Sequence, residues 1–262
     1  MMEFYKYQGV GNDFVMVDNR KGELELGTNL DTDAINRICN RNFGVGADGL
    51  ILLENDAESD FKMVYFNSDG NESTMCGNGG RCIVAFAKFL TVFEGEVCVF
   101  RAIDGIHHAK LSGDWVELQM IDVNEIEQIG NDYFLDTGSP HYVSFREQVK
   151  SLDLVSQGRA IRNNNRFKDE GTNVNFVEIH QEYLEVRTYE RGVENETLAC
   201  GTGVTAVALV AELEVRNTKA NASRMKVLGG ELEVSYQKNT AGTGFTNIWL
   251  KGPAEQVFRG EL

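Results

Sequence analysis

Proline, cysteine and long apolar runs are all scarce in this sequence. Only two of its 262 residues are proline, and only five are cysteine. The cysteines are odd in number and none belongs to a Cys-X-X-Cys pair, so neither a disulfide framework nor a zinc site is predicted. In a reducing compartment all five are expected to be thiols.

Positive charge is also in short supply. The chain carries 25 Lys and Arg against 40 Asp and Glu, a formal net charge of -15, and no basic patch stands out. Because proteins bind nucleic acid through clustered Lys and Arg, nucleic acid is not expected as a partner. We interpret the acidity as a solubilising surface.

Nothing in the sequence predicts a membrane segment or a secretion signal. No stretch approaches the roughly 20 apolar residues that cross a bilayer. The first residues, MMEFYKYQGVGNDF, lack the charged region and the following apolar region of a signal peptide. We therefore expect no membrane partner and a cytoplasmic location.

The composition is otherwise that of an ordinary globular protein, with 42% hydrophobic and 25% charged residues. Domains usually span about 100–150 residues, so the chain makes one large domain or two medium ones. Glycine is abundant, with 27 residues, and often follows a short strand-like segment. This pattern favours many short strands joined by turns.

Two successive sets of strands are predicted, each with one strongly apolar helix. The first set comprises FYKYQG, DFVMVDN, GLILLEN, FKMVYFN, VCVFRA, HHAKLSG and WVELQMID, with helices in TDAINRICNRN and RCIVAFAKFL. The second comprises a hairpin in YFLDTGSPHYVSF and strands in VNFVEIH, YLEVRTYE, KVLGGELEVSYQ and TNIWLKGPAEQVFRGEL, with a helix in TAVALVAELEV. Both apolar helices lack a polar face, which is typical of a helix enclosed by a sheet.

One supersecondary unit occurs twice. FKMVYFNSDGNESTMCGNGGRCIVAFAKFL and LEVRTYERGVENETLACGTGVTAVALVAEL both run strand, polar loop, Cys-Gly-X-Gly and apolar helix. A repeat of a whole unit predicts two similar α/β domains, each with a strand layer wrapped around a central helix. We expect a cleft between them.

The two repeated loops are the candidate site. Each places a cysteine just before the first turn of a helix, where unpaired N–H groups and the helix dipole favour negative charge. The thiol pKa is expected to fall below its ordinary value of about 8.5 there. A ligand carboxylate could approach the loop amides because four positions lack a side chain: Gly77, Gly79, Gly201 and Gly203.

Such a pair of loops fits the inversion of a carbon next to a carboxylate. If the halves face each other, Cys76 removes a proton from one side and Cys200 delivers one from the other, or the reverse. Two helix starts stabilise the charge that spreads onto the carboxylate, so no cofactor and no metal are predicted. Cys76 and Cys200 could instead be small buried hydrophobic residues. We prefer this structural interpretation for Cys39, Cys82 and Cys98.

Six segments together resemble the diaminopimelate epimerase family, in family order along the whole chain: GVGNDF, FGVGADG, FNSDGNESTMCGNGGRC, GSPH, GTNVNF and YERGVENETLACGTG. The resemblance implies two pseudo-symmetric domains, each a sheet or barrel around a central helix. It also implies an isomerase that interconverts LL- and meso-2,6-diaminopimelate without pyridoxal phosphate, in lysine and peptidoglycan precursor synthesis. On this basis we divide the chain into 1–114, with a returning strand 252–262, and 115–251.

The resemblance also assigns roles to residues. Cys76 and Cys200 match the catalytic cysteines, and His141 and Glu190 match residues that flank them. The positions that match substrate-binding residues are Asn12, Asn67, Gly77, Asn78, Asn173, Glu190, Arg191, Gly201 and Thr202. The substrate is then the only partner, apart from a second chain in a homodimer, which the resemblance alone suggests.

Three features depart from the family pattern without touching the cysteines. Ser139 stands where the family usually has Asn, and Gly49 where some members have a Gln that contacts substrate. The segment ERGVENETLACGTG is one residue longer than the common form. Ser offers one hydroxyl where Asn offers an amide, which changes the contact available at the distal end of the substrate.

Plainer readings exist for the polar residues. His141 could be a turn residue, Glu190 and Arg191 a surface pair, and Asn12 and Asn173 turn caps.

Three other kinds of protein also stay open. A proline or hydroxyproline racemase would have a small apolar distal pocket, a thiol peptidase or redox enzyme would need a nearby His or closely spaced cysteines, and a binding module would tolerate loss of both cysteines.

Overall fold

A computed structural model describes residues 2–25, 27–214, 221–239 and 244–262. The chain divides into two compact units. Unit 1 is Met1–Leu118 together with Gly252–Leu262, and unit 2 is Gln119–Lys251. In the described ranges, no helix combines the length and the apolar character needed to span a membrane.

The helices described in unit 1 are α1 (Thr32–Cys39) and α2 (Gly77–Phe89). Its strands are β1 (Glu3–Gly9), β2 (Asn12–Asp18), β3 (Gly49–Glu54), β4 (Phe61–Asn67), β5 (Val97–Ala102), β6 (Gly105–Ser112), β7 (Trp115–Gln119, whose last residue falls in unit 2) and β17 (Glu255–Glu261).

Helix α2 is the centre of unit 1. Its residues Cys82, Ile83, Val84, Phe86 and Ala87 share one apolar cluster with side chains from strands β1 to β7. Alternate residues of β1 to β4 point to the opposite face, where they pack against α1. The sheet therefore has two buried faces, which is why its central strands read as continuous apolar runs.

The described part of unit 2 contains α3 (Leu154–Arg162), α4 (Gly201–Glu214) and a 3₁₀ turn, Val149–Ser151. Its strands are β8 (Glu127–Ile129), β9 (Asp132–Asp136), β10 (Pro140–Phe145), β11 (Asn173–Ile179), β12 (Leu184–Glu190), β13 (Asn195–Thr197), β14 (Ala222–Val227), β15 (Gly230–Lys238) and β16 (Phe245–Pro253, which runs on into unit 1).

The units have the same strand pairing. In unit 1 the order β1-β2-β3-β4-β5-β6 alternates antiparallel, parallel, antiparallel, parallel and antiparallel. In unit 2 the order β9-β10-β11-β12-β14-β15 repeats that alternation. Helices α2 and α4 occupy the same place in the chain order: each follows the first strand of the second parallel pair and precedes the other strand of that pair. The predicted fold class, two similar α/β halves around central helices, is confirmed.

Most predicted elements are present, and the differences lie in unit 2. Helix α3, strands β8 and β13 and the 3₁₀ turn were not predicted. Helix α3 contains Gly158, and glycine normally argues against a helix. Packing explains the glycine, because a Cβ at that position would lie 2.5 Å from Cβ of Tyr189. The last residue of the predicted helix TAVALVAELEV, Val215, lies outside the described residues.

Candidate functional site

Cys76 is the N-cap residue of α2. Its backbone is extended, with φ -104° and ψ 148°, and its Sγ accepts a hydrogen bond from the amide of Gly79 at 3.2 Å. Its carbonyl accepts the first intrahelical bond, from Gly80 N at 2.8 Å. A thiol that caps a helix in this way becomes a better acceptor when it is ionised, so the helix start stabilises a thiolate.

The third residue after Cys76 must be small. A Cβ on Gly79 would lie 3.1 Å from Sγ of Cys76 and 3.1 Å from Cδ1 of Ile51. Both distances are shorter than an ordinary carbon contact. Glycine therefore lets the sulfur approach the amide that it caps.

A line of side-chain amides runs from this loop to strand β2. Asn78 donates through Nδ2 to Oδ1 of Asn12 at 3.2 Å, and Asn12 donates through its own Nδ2 to Oδ2 of Asp48 at 2.5 Å. Because Asp48 accepts from the amide group of Asn12, the carbonyl of Asn12 must face Asn78. Two of the predicted binding residues are thus held in one fixed orientation.

Asp13, next to Asn12, anchors the start of β2. Burial alone would raise the pKa of its carboxyl, but hydrogen bonds from Arg41 and Lys6 outweigh burial and lower that pKa to about 2. Lys6 Nζ lies 2.8 Å from Asp13 Oδ2, and Arg41 bridges Asp13 and Asp48. The network fixes the strand end from which Asn12 projects.

Asn67 ends β4 directly opposite Gly49 of β3. Its Oδ1 accepts a hydrogen bond from the hydroxyl of Tyr65 at 2.8 Å. A Cβ on Gly49 would lie 2.5 Å from the carbonyl oxygen of Phe66 and 2.6 Å from Cε2 of Tyr65. Tyr65 therefore fills the space beside Gly49 and orients Asn67.

In unit 2, Cys200 precedes α4 as Cys76 precedes α2. Its carbonyl accepts the first intrahelical bond from Val204 N at 3.0 Å, and its side chain is 8% exposed. A Cβ on Gly203 would lie 3.3 Å from Sγ of Cys200 and 2.6 Å from Oδ1 of Asn175. The same spacing of cysteine and close-packed glycine thus occurs in both units.

Cys200 belongs to a chain of hydrogen bonds that leads to His141. Sγ of Cys200 lies 3.5 Å from Oγ1 of Thr202, which lies 2.9 Å from Nε2 of His141. The other ring nitrogen, Nδ1, lies 3.1 Å from Nδ2 of Asn175. Oδ1 of Asn175 accepts from Thr188, which fixes the amide, so Nδ1 of His141 accepts and Nε2 carries the proton toward Thr202.

His141 is an uncharged imidazole at neutral pH. It has no exposed surface, and burial together with the positive charge of Arg191 lowers its pKa from 6.5 to about 3. It therefore acts as a fixed hydrogen-bond donor to Thr202, and not as a cation beside Cys200.

Asn173 links three segments of unit 2. It pairs in register with His141 of β10, and its Nδ2 donates to Ser139 Oγ at 2.9 Å and to Pro140 O at 3.1 Å. Its Oδ1 accepts from the amide of Arg191 at 2.9 Å. Ser139 thus contacts Asn173 through its hydroxyl.

The longer loop after β12 is closed locally. The carbonyl of Glu190 accepts from the amide of Glu194 at 2.8 Å, and Glu194 has a left-handed backbone with φ 56°. The Glu194 carboxylate accepts from Tyr189 at 2.9 Å and from the amide of Gly192 at 3.1 Å. The loop therefore turns back onto its own strand just after Glu190.

The other three cysteines are buried. Cys39, Cys82 and Cys98 are 3%, 0% and 1% exposed. Burial raises their thiol pKa values to about 11, about 12 and about 12. These thiols stay protonated at neutral pH and pack as apolar groups.

Within unit 1 the structure brings together Cys76, Gly77, Asn78 and Asn12, with Asn67 at a neighbouring strand end. Within unit 2 it brings together Cys200, Gly201, Thr202 and His141, with Asn173 linking His141 to Arg191. Each set was predicted from the sequence as substrate-binding or catalytic, and those roles stay predictions.

Four polar residues next to these groups were not singled out from the sequence: Asp48, Arg81, Thr137 and Asn175. Thr137 donates to the carbonyl of Thr202 at 2.8 Å, and Arg81 donates to the carbonyl of Gly77 at 3.0 Å. The available signal was a polar residue inside an otherwise apolar element, such as Arg81 in RCIVAFAKFL.

One group of side chains in the described residues has the composition of a metal site. The ligand atoms of Glu178, His180 and Glu185 lie within 4.8 Å of one another. His180 already contacts Glu185 at 3.2 Å, and Lys150 lies 3.3 Å from the same carboxylate. These contacts account for the cluster without a metal.

Comparison with known proteins identifies the family. The model of the family described as diaminopimelate epimerase matches residues 4–120 and 133–256. A diaminopimelate epimerase of Flavobacterium psychrophilum is 51% identical over 259 residues, which cover 98% of each chain. A diaminopimelate epimerase of Chlorobaculum tepidum is 41% identical, covering 97% of this chain and 98% of that one.

Solved structures share the fold at low sequence identity. A Bacillus anthracis phenazine biosynthesis protein of the PhzF family has a TM-score of 0.75 at 12% identity, covering 100% of this chain and 98% of its own. A probable proline racemase from Agrobacterium radiobacter has a TM-score of 0.70 at 15% identity, covering 100% and 93%. At this identity the likeness concerns the fold alone.

The sequence relatives, by contrast, span nearly the whole chain at high identity. The family predicted from the six motifs is therefore confirmed, and with it the enzyme class, an isomerase. The chain belongs to the diaminopimelate epimerase family.

Proposed function

We propose that this protein interconverts LL- and meso-diaminopimelate by moving a proton at one α-carbon, with Cys76 on one face of the carbon and Cys200 on the other. One observation carries the proposal. Both cysteines occupy the residue before a buried central helix, in two units whose strands pair in the same order. A reaction that removes a proton from one face and adds one to the other needs two such groups.

The helix starts supply the stabilisation that the reaction requires. Removal of the α-proton places negative charge on the substrate carboxylate, and the amides of the two loops are suited to receive it: Gly77, Asn78, Gly201 and Thr202. Donors fixed before the reaction lower the energy of a carbanion without rearranging. We therefore propose that neither a metal nor an organic cofactor takes part.

The distal end of the substrate carries a second amino group and a second carboxylate, so its pocket should be polar. We assign this pocket to Asn67, Asn173 and Arg191, with Asn12 beside the Cys76 loop and Glu190 flanking the catalytic cysteines. Tyr65 orients Asn67, and Asn173 holds the backbone of Arg191. A guanidinium binds a carboxylate in two-pronged fashion, which suits Arg191 to the distal group.

His141 supports Cys200 without exchanging the substrate proton itself. Its pKa of about 3 leaves it neutral, and it reaches Cys200 through the hydroxyl of Thr202. We propose that the Thr202 hydroxyl accepts a hydrogen bond from His141 and donates one to Sγ of Cys200. Asn175, which fixes the His141 ring, then sets the direction of the hydrogen bonds that run from His141 to Cys200.

We further propose that the enzyme is a cytoplasmic homodimer, which the family membership supports. Lysine and peptidoglycan precursors are made inside the cell, where thiols stay reduced. Sedimentation equilibrium of the purified chain would test the assembly. A mass near 29.2 kDa at all concentrations would contradict the dimer.

The reaction is tested by exchange in deuterated water. LL-diaminopimelate should lose its α-proton signal and yield meso product, whereas proline should be unchanged. Cys76→Ser and Cys200→Ser, made singly, should each lower epimerisation by roughly 10²- to 10⁴-fold. Cys98→Ser serves as the matched control, since Cys98 is a buried cysteine of strand β5 and not a residue of either cysteine loop. Full activity in either single variant would refute the two-cysteine mechanism.

Racemisation of proline or hydroxyproline is the second candidate, because a probable proline racemase and a hydroxyproline epimerase share the fold. A small apolar distal pocket is expected for such substrates, whereas the assigned residues are polar. Exchange of proline alone in the deuterium experiment would favour this candidate. Exchange of neither substrate would overturn both.

A further inference from the structure

Arg81 is the most deeply buried charged residue of α2, with no exposed surface. Its guanidinium donates through one terminal nitrogen to the carbonyl of Gly77 at 3.0 Å. The other terminal nitrogen donates to Oδ1 of Asn78 at 2.9 Å, and Nε has no hydrogen-bond partner among the described residues. Both partners belong to the loop that follows Cys76.

No carboxylate in the described part of the chain forms an ion pair with Arg81. Cys82 and Cys76 are the two groups whose thiolate forms would interact favourably with its charge. Taking a cation out of water without a counter-ion is strongly unfavourable. A charge retained in such a place implies a transient or partial anion nearby.

The equivalent position in unit 2 is neutral. Arg81 is five residues after Cys76, and Thr205 is five residues after Cys200. Thr205 is also fully buried, and its hydroxyl donates to the carbonyl of Gly201 at 2.9 Å. Both helices therefore make the same hydrogen bond to the residue after the cysteine, but only α2 makes it with a cation.

We propose that Arg81 is a positioning residue that makes Cys76 the thiolate and leaves Cys200 the thiol in the resting enzyme. The proposal rests on the proposed function, in which the two sulfurs exchange a proton with the substrate. The helix dipole acts alike on both cysteines, so by itself it would leave the ionised thiol undecided between Cys76 and Cys200. The buried guanidinium removes that ambiguity and leaves the enzyme ready to deprotonate one stereoisomer first.

Cys76, and not Cys82, is the anion that Arg81 serves. Burial raises the pKa of Cys82 to about 12, and its sulfur has no exposed surface. Cys76 is half-buried and also accepts the Gly79 amide. Burial lowers the pKa of Arg81 only to about 10, so the guanidinium remains charged at neutral pH.

Among the described residues, two strands next to α2 carry titratable groups that are neutral or already paired. Tyr7 of β1 is a phenol whose pKa burial raises to about 12, so it is neutral. Asp13 of β2 is ionised, but Lys6 and Arg41 already pair with it. Strands β3 and β4 present the apolar Ile51 and Met63 beside Gly79.

The test measures the ionisation of each sulfur separately. Cys76 is studied in a Cys200→Ser chain and Cys200 in a Cys76→Ser chain, so that the two titrations are not coupled. The rate of iodoacetamide alkylation at each cysteine is followed against pH by peptide mass spectrometry. We expect the apparent pKa of Cys76 to lie below that of Cys200 by about one unit or more.

Charge is then varied at Arg81. Arg81→Met in the Cys200→Ser chain should raise the apparent pKa of Cys76 by about one unit, whereas Arg81→Lys should restore most of the difference. Thr205→Val in the Cys76→Ser chain is the matched control: it removes the equivalent hydrogen bond without removing a charge. It should leave the apparent pKa of Cys200 unchanged.

An unchanged Cys76 titration in Arg81→Met would overturn the proposal, as would a Cys200 pKa equal to or below that of Cys76. The second comparison needs no change at Arg81, so it decides the matter even if Arg81→Met does not fold. Alkylation reports ionisation without any turnover. Failure here therefore stands apart from failure of the two-cysteine mechanism, which the Cys76→Ser and Cys200→Ser activities decide.

Discussion

Nε2 of His141 lies 2.9 Å from the hydroxyl oxygen of Thr202. The proton must be on Nε2, since Asn175 donates to the opposite ring nitrogen. The hydroxyl of Thr202 therefore accepts from His141 and can donate its own proton only to another acceptor. Sγ of Cys200, at 3.5 Å, is such an acceptor when it is ionised.

Removing the hydroxyl of Thr202 should weaken the reaction. Thr202→Val keeps the shape of the side chain but leaves the buried Nε2–H of His141 without a partner. We expect kcat/KM to fall about 10- to 100-fold, the equivalent of one hydrogen bond of about 1.5–3 kcal/mol to a charged group. Thr202→Ser, which restores the hydroxyl, should recover most of the activity. Equal activity of the Val and Ser variants would contradict the relay to Cys200.

Stability should depend on pH through His141. The unfolded chain binds a proton on this residue below about pH 6.5, whereas the folded chain does not until about pH 3. Unfolding takes up a proton in that window, so stability is lost as the pH falls through it, by about 1.4 kcal/mol per pH unit.

Urea unfolding of the parent and of His141→Gln, compared between about pH 4 and pH 7, isolates this contribution from that of the carboxylates. The variant should show the shallower slope. As an independent readout, the ring protons of His141 in the parent should not shift in NMR spectra over the same range. A parent and variant with the same slope would show that His141 takes up its proton in the folded state.

Asp48 should act on substrate binding through Asn12. Its carboxylate accepts from the amide of Asn12, which turns the Asn12 carbonyl toward Asn78. Asp48→Ala leaves Asn12 able to rotate, so we expect KM to rise about tenfold, the loss of roughly one hydrogen bond, with kcat changed less. Steady-state kinetics separate the two constants. A fall in kcat at constant KM would place Asp48 in the chemical step.

The sequence predicts the architecture better than the local support of the site. The apolar helices are recognisable because most residues of α2 and α4 are buried, and the repeated Cys-Gly-X-Gly reveals the duplication. Helix α3 is hidden by Gly158, whose missing side chain makes room for Tyr189. That contact joins residues 31 positions apart in the chain, and no local pattern reports it.

The same limit applies to supporting residues. Asn175 lies in the buried strand VNFVEIH, and its role depends on His141, which comes from another strand. Asp48 and Asn12 likewise meet only because β2 and β3 pair in parallel. A polar residue in an apolar segment predicts a buried hydrogen bond, but the partner is set by strand register.

The two close-packed glycines should differ in their tolerance of a methyl group. Alanine is the better helix former, so any loss of stability in Gly203→Ala or Gly79→Ala must come from contacts of the new Cβ. At Gly79 those contacts are terminal atoms of Cys76 and Ile51 at 3.1 Å, which can shift. At Gly203 the contact is Oδ1 of Asn175 at 2.6 Å.

Asn175 cannot move aside without breaking its bonds to Thr188 and His141. Gly203→Ala should therefore lose about 1–3 kcal/mol of unfolding free energy, and Gly79→Ala less than about 1 kcal/mol. Urea unfolding measures both. The NMR signals of the His141 ring should change in Gly203→Ala and stay in place in Gly79→Ala. Equal losses, with the His141 signals unmoved in both, would mean that Asn175 yields freely and that the amide does not fix the imidazole.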